Sequence, residues 1–117
     1  MLINKRNEYV ISKEEETADS LLKRMRGLMF RRRISKPLLF ILPKPTRRQA
    51  SIHMFFVFFP IDLVYLDENW RVVDIYVGVR PFTVNITPKK EAKYILEMEK
   101  GTVARSDIRL GDLIVQR

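Results

Sequence analysis

The sequence predicts a mainly β (α+β) fold, a small β-sandwich or barrel-like domain of about seven or eight strands with one helix packed against it. Three observations carry this expectation. Short apolar runs alternate with proline, glycine and Asp/Asn breakers from residue 37 onward, and one stretch, about residues 13–26, has unambiguous helical spacing. A chain of 117 residues holds one core, so residues 1–117 are read as a single domain. An apolar content of 46% beside 31% charge is that of a globular chain.

Leu2 and Ile3, then residues 9–11, read as a strand or short hairpin. In "SKEEETADSLLKRMRG", Ser12 and Glu15 have capping-box spacing, in which hydroxyl and carboxylate each satisfy an orphan backbone N–H, and the acidic first turn suits the helix dipole. Ala18, Leu21, Leu22 and Met25 recur along one helical face and Gly27 supplies a left-handed stop, which predicts a helix over about 13–26. "PLLFIL" (37–42) reads as a buried strand. "PKPTRRQ" (43–49) reads as a loop, because proline has no N–H to give a central strand.

"SIHMFFVFF" (51–59) reads as a central strand buried on both faces and ended by Pro60. "IDLVYL" and "WRVVDIYV" flank Asp67, Glu68 and Asn69 and make a hairpin. Its parity sets Ile61, Leu63 and Tyr65 on one face and Asp62, Val64 and Leu66 on the other. "TPKKEAKYILEMEKG" fits either a helix or a turn followed by a strand, and we read a turn at 88–92 and a strand at 93–98. The chain closes with a turn and a last strand at 113–115.

The absence of cysteine excludes disulfides, thiolate metal sites and cysteine nucleophiles. A single histidine makes a poor transition-metal set, so no metal and no cofactor are expected. The longest apolar run, Met54 to Phe59, has six residues against the roughly 20 of a spanning helix, so no membrane span is expected. "MLINKRNEYVIS" lacks the apolar region of a signal peptide, and a cytoplasmic location is expected. Abundant Lys, Arg and Glu with two glutamines and no cysteine point to a thermophilic source.

The formal charge of +8 is concentrated. Between Lys23 and Arg48 stand ten Lys or Arg and no Asp or Glu, while the other 91 residues carry 12 basic and 14 acidic groups. Such a block suits nucleic acid, anionic lipid or a phosphorylated ligand, or serves as a solvated basic face.

Three stretches, "KRMRGLMFR" (23–31), "HMFFVFFPIDLVYLD" (53–67) and "YILEMEKG" (94–101) with "GD" (111–112), resemble the landmarks of the bacterial and archaeal family called domain of unknown function 192. The resemblance covers nearly the whole chain. It implies a small β-sandwich or barrel-like domain with a helix against it, and an uncharacterised function. Arg24, Gly27, Leu28, Met29 and Arg31 match the family's pattern, as do Pro60, Asp62 and Asp67, then Leu96, Glu97, Gly101, Gly111 and Asp112. Where the family reads tryptophan-methionine-lysine-asparagine-threonine, this chain has His53, Met54, Phe55, Phe56 and Val57, so no catalytic role is carried across.

His53 is the one side chain with an unperturbed pKa near neutrality. It is either a general acid-base group or a core or rim residue donating to an oxygen. Asp62, set among apolar residues, needs a partner. It either holds an arginine or caps backbone N–H groups near Pro60, or it lines a pocket with an arginine of the basic segment, Arg24, Arg26 or Arg31, as a bidentate fork. Glu97 is read as a solvated strand position, with a salt bridge or a carboxylate pair with Asp62 as alternatives. The leading functional expectation is a non-enzymatic small-ligand-binding or accessory domain with a polar cleft near Arg24, Arg31, His53, Asp62 and Glu97, its partner a small anionic or polar ligand. The alternatives are a small hydrolase or transferase using His53 with a carboxylate, and an electrostatic nucleic-acid binder through residues 23–48. Nucleic acid is less favoured because both aromatics of the basic segment, Phe30 and Phe40, sit in apolar contexts.

Overall fold

Alternating apolar residues on both faces of the central strands require cover on both sides of a sheet, and the fold supplies two different covers. The structure, a computed structural model, describes residues 1–20, 23, 26–54 and 56–117. Its strands are β1 (Leu2–Asn4), β2 (Tyr9–Ser12), β3 (Glu16–Ala18), β4 (Leu38–Thr46), β5 (Ile61–Leu66), β6 (Val72–Val79), β7 (Ala92–Glu99) and β8 (Ile114–Gln116), with a short helix at Thr102–Ser106. One sheet has the order β2-β1-β8 and the other β3-β4-β7-β5-β6. All pairs are antiparallel except β3 with β4.

The mainly β class predicted from sequence is what the chain adopts. The parity of β5 also holds. Ile61, Leu63 and Tyr65 join Phe40 and Ile95 in one core. Val64 and Leu66 join Leu2, Leu39 and Leu96 in the other. The small sheet and the helix cover the second core, through Ile114 and Val103. Irregular segments cover the first, contributing Leu28, Ile34, Ala50, Met54 and Val57. The β5–β6 hairpin is closed by Asp67, whose Oδ1 accepts the N–H of Asn69 at 2.9 Å and of Arg71 at 3.0 Å.

Three expectations need correction. The helix expected over about 13–26 does not begin at Lys13, because Glu16–Ala18 is strand β3. Glu16 N–H donates to the Pro37 carbonyl at 2.9 Å, and the strand runs parallel along the open edge of β4. The Glu15 carboxylate, read as half of a capping box, binds the N-terminal ammonium at 3.0 Å and Gln116 Nε2 at 2.8 Å instead. Sheet pairing has overridden local helix propensity. Lys23 and Arg26 are helical, and Gly27 has a left-handed φ of 46°. Leu21, Leu22, Arg24 and Met25 lie outside the described residues.

Second, residues 51–59 are not a central strand. Among its described residues only Ile52 bridges, to Ile86, because β7 already lies between β4 and β5, and they cross the face of the sheet instead. Met54 and Val57 turn inward, while His53, Phe56 and Phe58 stand exposed; Phe55 lies outside the described residues. Third, β4 continues through Pro43 and Pro45. Its pairing with β7 skips from Ile41 to Thr46, so the prolines occupy a break in the ladder where no N–H is needed.

Two buried carboxylates tie the layers together. Asp62, 1% exposed, accepts the backbone N–H of Gly78 on Oδ1 at 2.9 Å, and those of Gly101 and Val103 on Oδ2 at 3.0 Å each. Asp112 accepts Arg6 Nε at 2.8 Å, Arg109 N–H at 2.9 Å and Asn4 Nδ2 at 3.0 Å. Burial alone would raise its pKa, but these hydrogen bonds prevail and hold it below the usual carboxylate value.

Replacing Asp62 by alanine strands three backbone donors, two of them at the start of the helix. Asp62→Ala is expected to cost about 3 to 5 kcal/mol and Asp62→Asn, which keeps one acceptor oxygen, distinctly less. Urea unfolding midpoints measure both. A loss under about 1 kcal/mol for Asp62→Ala would show that the clamp is not a main support.

Candidate functional site

On the first-core face of the five-stranded sheet lies a cavity of about 580 Å³. Its walls are apolar: Phe40 and Leu42 from β4, Ile95 from β7, and Leu28 and Val57 from the segments crossing above. Arg26, Gln49, Ser51 and His53 line it as well, all of them exposed.

Glu97 is the one carboxylate among the described residues that line it. In β7 it shares parity with Ile95 and pairs with Leu63 of β5, so it points into the first core. It is 4% exposed, and its Oε2 has no hydrogen-bond partner among the described residues. Burial pushes its pKa up to about 8, against the opposing pull of Arg31. At neutral pH this carboxyl therefore holds a proton and can donate as well as accept.

Arg31 acts on Glu97 through its field, since its guanidinium is already engaged. It forms a fork with Glu16, Nη1 to Oε1 at 3.1 Å and Nη2 to Oε2 at 2.9 Å, which holds Glu16 below the usual carboxylate value. Asp62 lies elsewhere. It pairs with Met98, one residue out of step with Glu97, and so faces the second core and its three backbone donors. Asp62 and Glu97 thus project from opposite faces of the sheet, and the arginine fork falls to Glu16 rather than Asp62.

His53 and Glu97 are the two expected site residues that line the cavity. Arg24 lies outside the described residues. Glu97 is buried where a solvated position was expected. Its flanks, Ile95, Leu96 and Met98, are the sequence signal of that burial, because a strand apolar on both parities has no wet face. Arg26, expected only among the candidate partners of Asp62, lines the cavity instead, and Gln49 and Ser51 were not foreseen, for they reach it from irregular segments without periodicity. No cluster of three or more His or carboxylate groups able to hold a metal ion occurs among the described residues. No helix among them is long and apolar enough to cross a membrane.

Glu97 makes stability depend on pH. Between its ordinary value of 4.5 and about 8, the folded chain keeps a proton that the unfolded chain has lost, so stability falls as pH rises through that window. The loss expected from this group is on the order of 3 to 5 kcal/mol, complete above the folded pKa. Glu97→Gln removes that slope and gains most over wild type near pH 9, which unfolding midpoints at pH 5, 7 and 9 will show; parallel pH curves for the two proteins would mean that Glu97 ionises freely.

The chain matches the family of domain of unknown function 192, described as "Uncharacterized ACR", over residues 2–116. A UPF0127 protein of Thermococcus kodakarensis is 40% identical over 114 residues, 97% of this chain and 71% of its own. A UPF0127 protein of Pyrococcus horikoshii is 41% identical over 117 residues, covering 97% of this chain and 96% of its own. These relatives come from thermophilic archaea. A crystal structure of a protein of unknown function from Novosphingobium aromaticivorans has the same fold, with a TM-score of 0.80 at 24% identity over 87% of this chain and 74% of that one. The chain belongs to the uncharacterised family of domain of unknown function 192.

Proposed function

We propose that this protein is a non-enzymatic binding domain that holds a small molecule in the cavity over Glu97. The observation that carries this reading is the Glu97 carboxyl, buried at an apolar cavity with one oxygen unpartnered among the described residues. A polar group in such a position is costly unless something pairs with it. The ligand that fits has a compact apolar body against Phe40, Leu42 and Ile95, and a hydroxyl or amine head directed to Glu97. An anionic group on the same molecule would reach Arg26 at the rim. Apolar walls with one placed polar group are the usual composition of a small-molecule site.

His53 and Glu97 share the cavity, which keeps a hydrolytic role as the second reading. The same experiment separates the two. Pools of small hydroxy acids and amino acids are titrated against labelled protein by NMR, with the ligand signals followed for turnover. Binding shifts the resonances of Leu42, Ile95 and Glu97 with the ligand unchanged. An amine head arrives as ammonium at pH 7, and its charge beside Glu97 makes the carboxyl ionise and pass its proton to the buffer, so calorimetry in two buffers at pH 7 will register release of about one proton per ligand, lost in Glu97→Gln. No shift at these residues with any pool overturns the proposal, and product formation transfers the site to the second reading.

A further inference from the structure

We propose that a cluster of exposed phenylalanines beside the basic segment docks this protein on an anionic lipid bilayer. The proposal stands independently of the cavity. Phe30, Phe56, Phe58 and Phe82 are 68%, 46%, 59% and 48% exposed, although three separate segments contribute them. Their rings form one connected knob. Phe30 stacks on Phe56 with centroids 4.9 Å apart, and Phe82 meets Phe56 at 6.2 Å and Phe58 at 5.6 Å, edge to face. Single exposed apolar residues need no explanation, but a contiguous aromatic patch marks a contact surface.

The backbone holds this knob out at a cost. Phe30, Phe56 and Phe82 have φ of 64°, 56° and 62°, a left-handed conformation unusual for a bulky side chain. Hydrogen bonds between the segments fix it. Phe30 N–H donates to the Phe56 carbonyl at 2.8 Å, Phe82 N–H to the Met54 carbonyl at 2.8 Å, and Met54 N–H to the Thr83 carbonyl at 2.6 Å. The knob is thus preformed, and little ordering is left to be done on contact.

Charge selects the partner. The segments that carry the rings, 26–33, 51–60 and 80–87, contain no Asp or Glu. Arg32 and Arg33 follow Phe30 and Arg80 precedes Phe82; all three are exposed and form no ion pair with the described residues. A single nucleic-acid strand would also welcome arginine and aromatics, but bases need free ring faces along the strand. Here the rings turn faces and edges on one another and present a compact apolar tip. An apolar tip flanked in sequence by exposed arginines matches the boundary between acyl chains and anionic headgroups.

The test is flotation of the full chain with vesicles of equal parts phosphatidylcholine and phosphatidylglycerol, beside vesicles of phosphatidylcholine alone. The protein is expected to float with the anionic vesicles and to be released as salt rises. The pair Phe30→Asn and Phe82→Asn should weaken that binding about tenfold or more. Asparagine tolerates the left-handed conformation, so the melting temperature of this variant should hold or rise and a folding defect is excluded. Arg32→Ala with Arg33→Ala should weaken binding to the anionic vesicles. Absence of flotation with anionic vesicles, or flotation unchanged in the asparagine variant, overturns the proposal. So does tighter, Phe30-dependent binding to a single-stranded oligonucleotide.

Discussion

The buried carboxylate of Asp62 fixes how the layers of this fold meet. It stands on β5, between β6 and β7, and receives donors from β6, from the turn after β7 and from the helix. Burying a charge costs several kcal/mol unless its lone pairs are occupied, and three charge-assisted bonds occupy them. The donors depend on backbone only glycine adopts readily, for Gly78 and Gly101 have φ of 59° and 96°. A Cβ at Gly101 would also come within 3.0 Å of the Arg105 guanidinium. Carboxylate and glycines therefore form one unit. Through Val103 it sets the helix on the second core, where the small sheet also docks.

The same alternation that gives Asp62 its donors deprives Glu97 of them. Asp62 faces the helix and turn, whose N–H groups are available, whereas Glu97, across from Leu63, faces a core closed by side chains. One carboxylate is satisfied and supports the fold. The other is held protonated by burial and weakens the folded state as pH rises. Packing alone would favour a leucine at that position. A buried carboxyl at a cavity, with one oxygen unpartnered among the described residues, is a local inconsistency that supports the proposed binding role.

Periodicity made the large sheet legible. Parity placed β5 with both of its faces, the Asp67 turn closed the hairpin, and "YILEME" was recognisable as a strand beside its helical alternative. What periodicity could not carry was competition between elements. Residues 16–18 have a helix signature, yet the open edge of β4 offered hydrogen bonds to an extended chain, and Glu15 found the N-terminus as a partner. Residues 51–59 have the composition of a buried strand, but no slot in the sheet was left for them. The site followed suit. His53 and Glu97 were picked out as residue types, while the burial of Glu97 depended on Leu28 and Val57 lying over β7, a long-range arrangement without local sequence pattern.

That displaced segment explains why the cavity and the aromatic knob share one side of the molecule. A strand would have filled the first face with regular packing and paired its own backbone. Instead the crossing segments pair with each other, Ile52 with Ile86 and Phe30 with Phe56, and thereby satisfy the polar groups an irregular layer would leave bare. Such a layer packs less completely than a strand, and the space beneath it is the cavity. Its residues also divide between two surroundings at close intervals, Leu28 and Val57 inward and Phe30, Phe56 and Phe58 outward. The cavity wall and the exposed rings are therefore two sides of the same backbone, and a ligand that moved Leu28 or Val57 would move the phenylalanines with them.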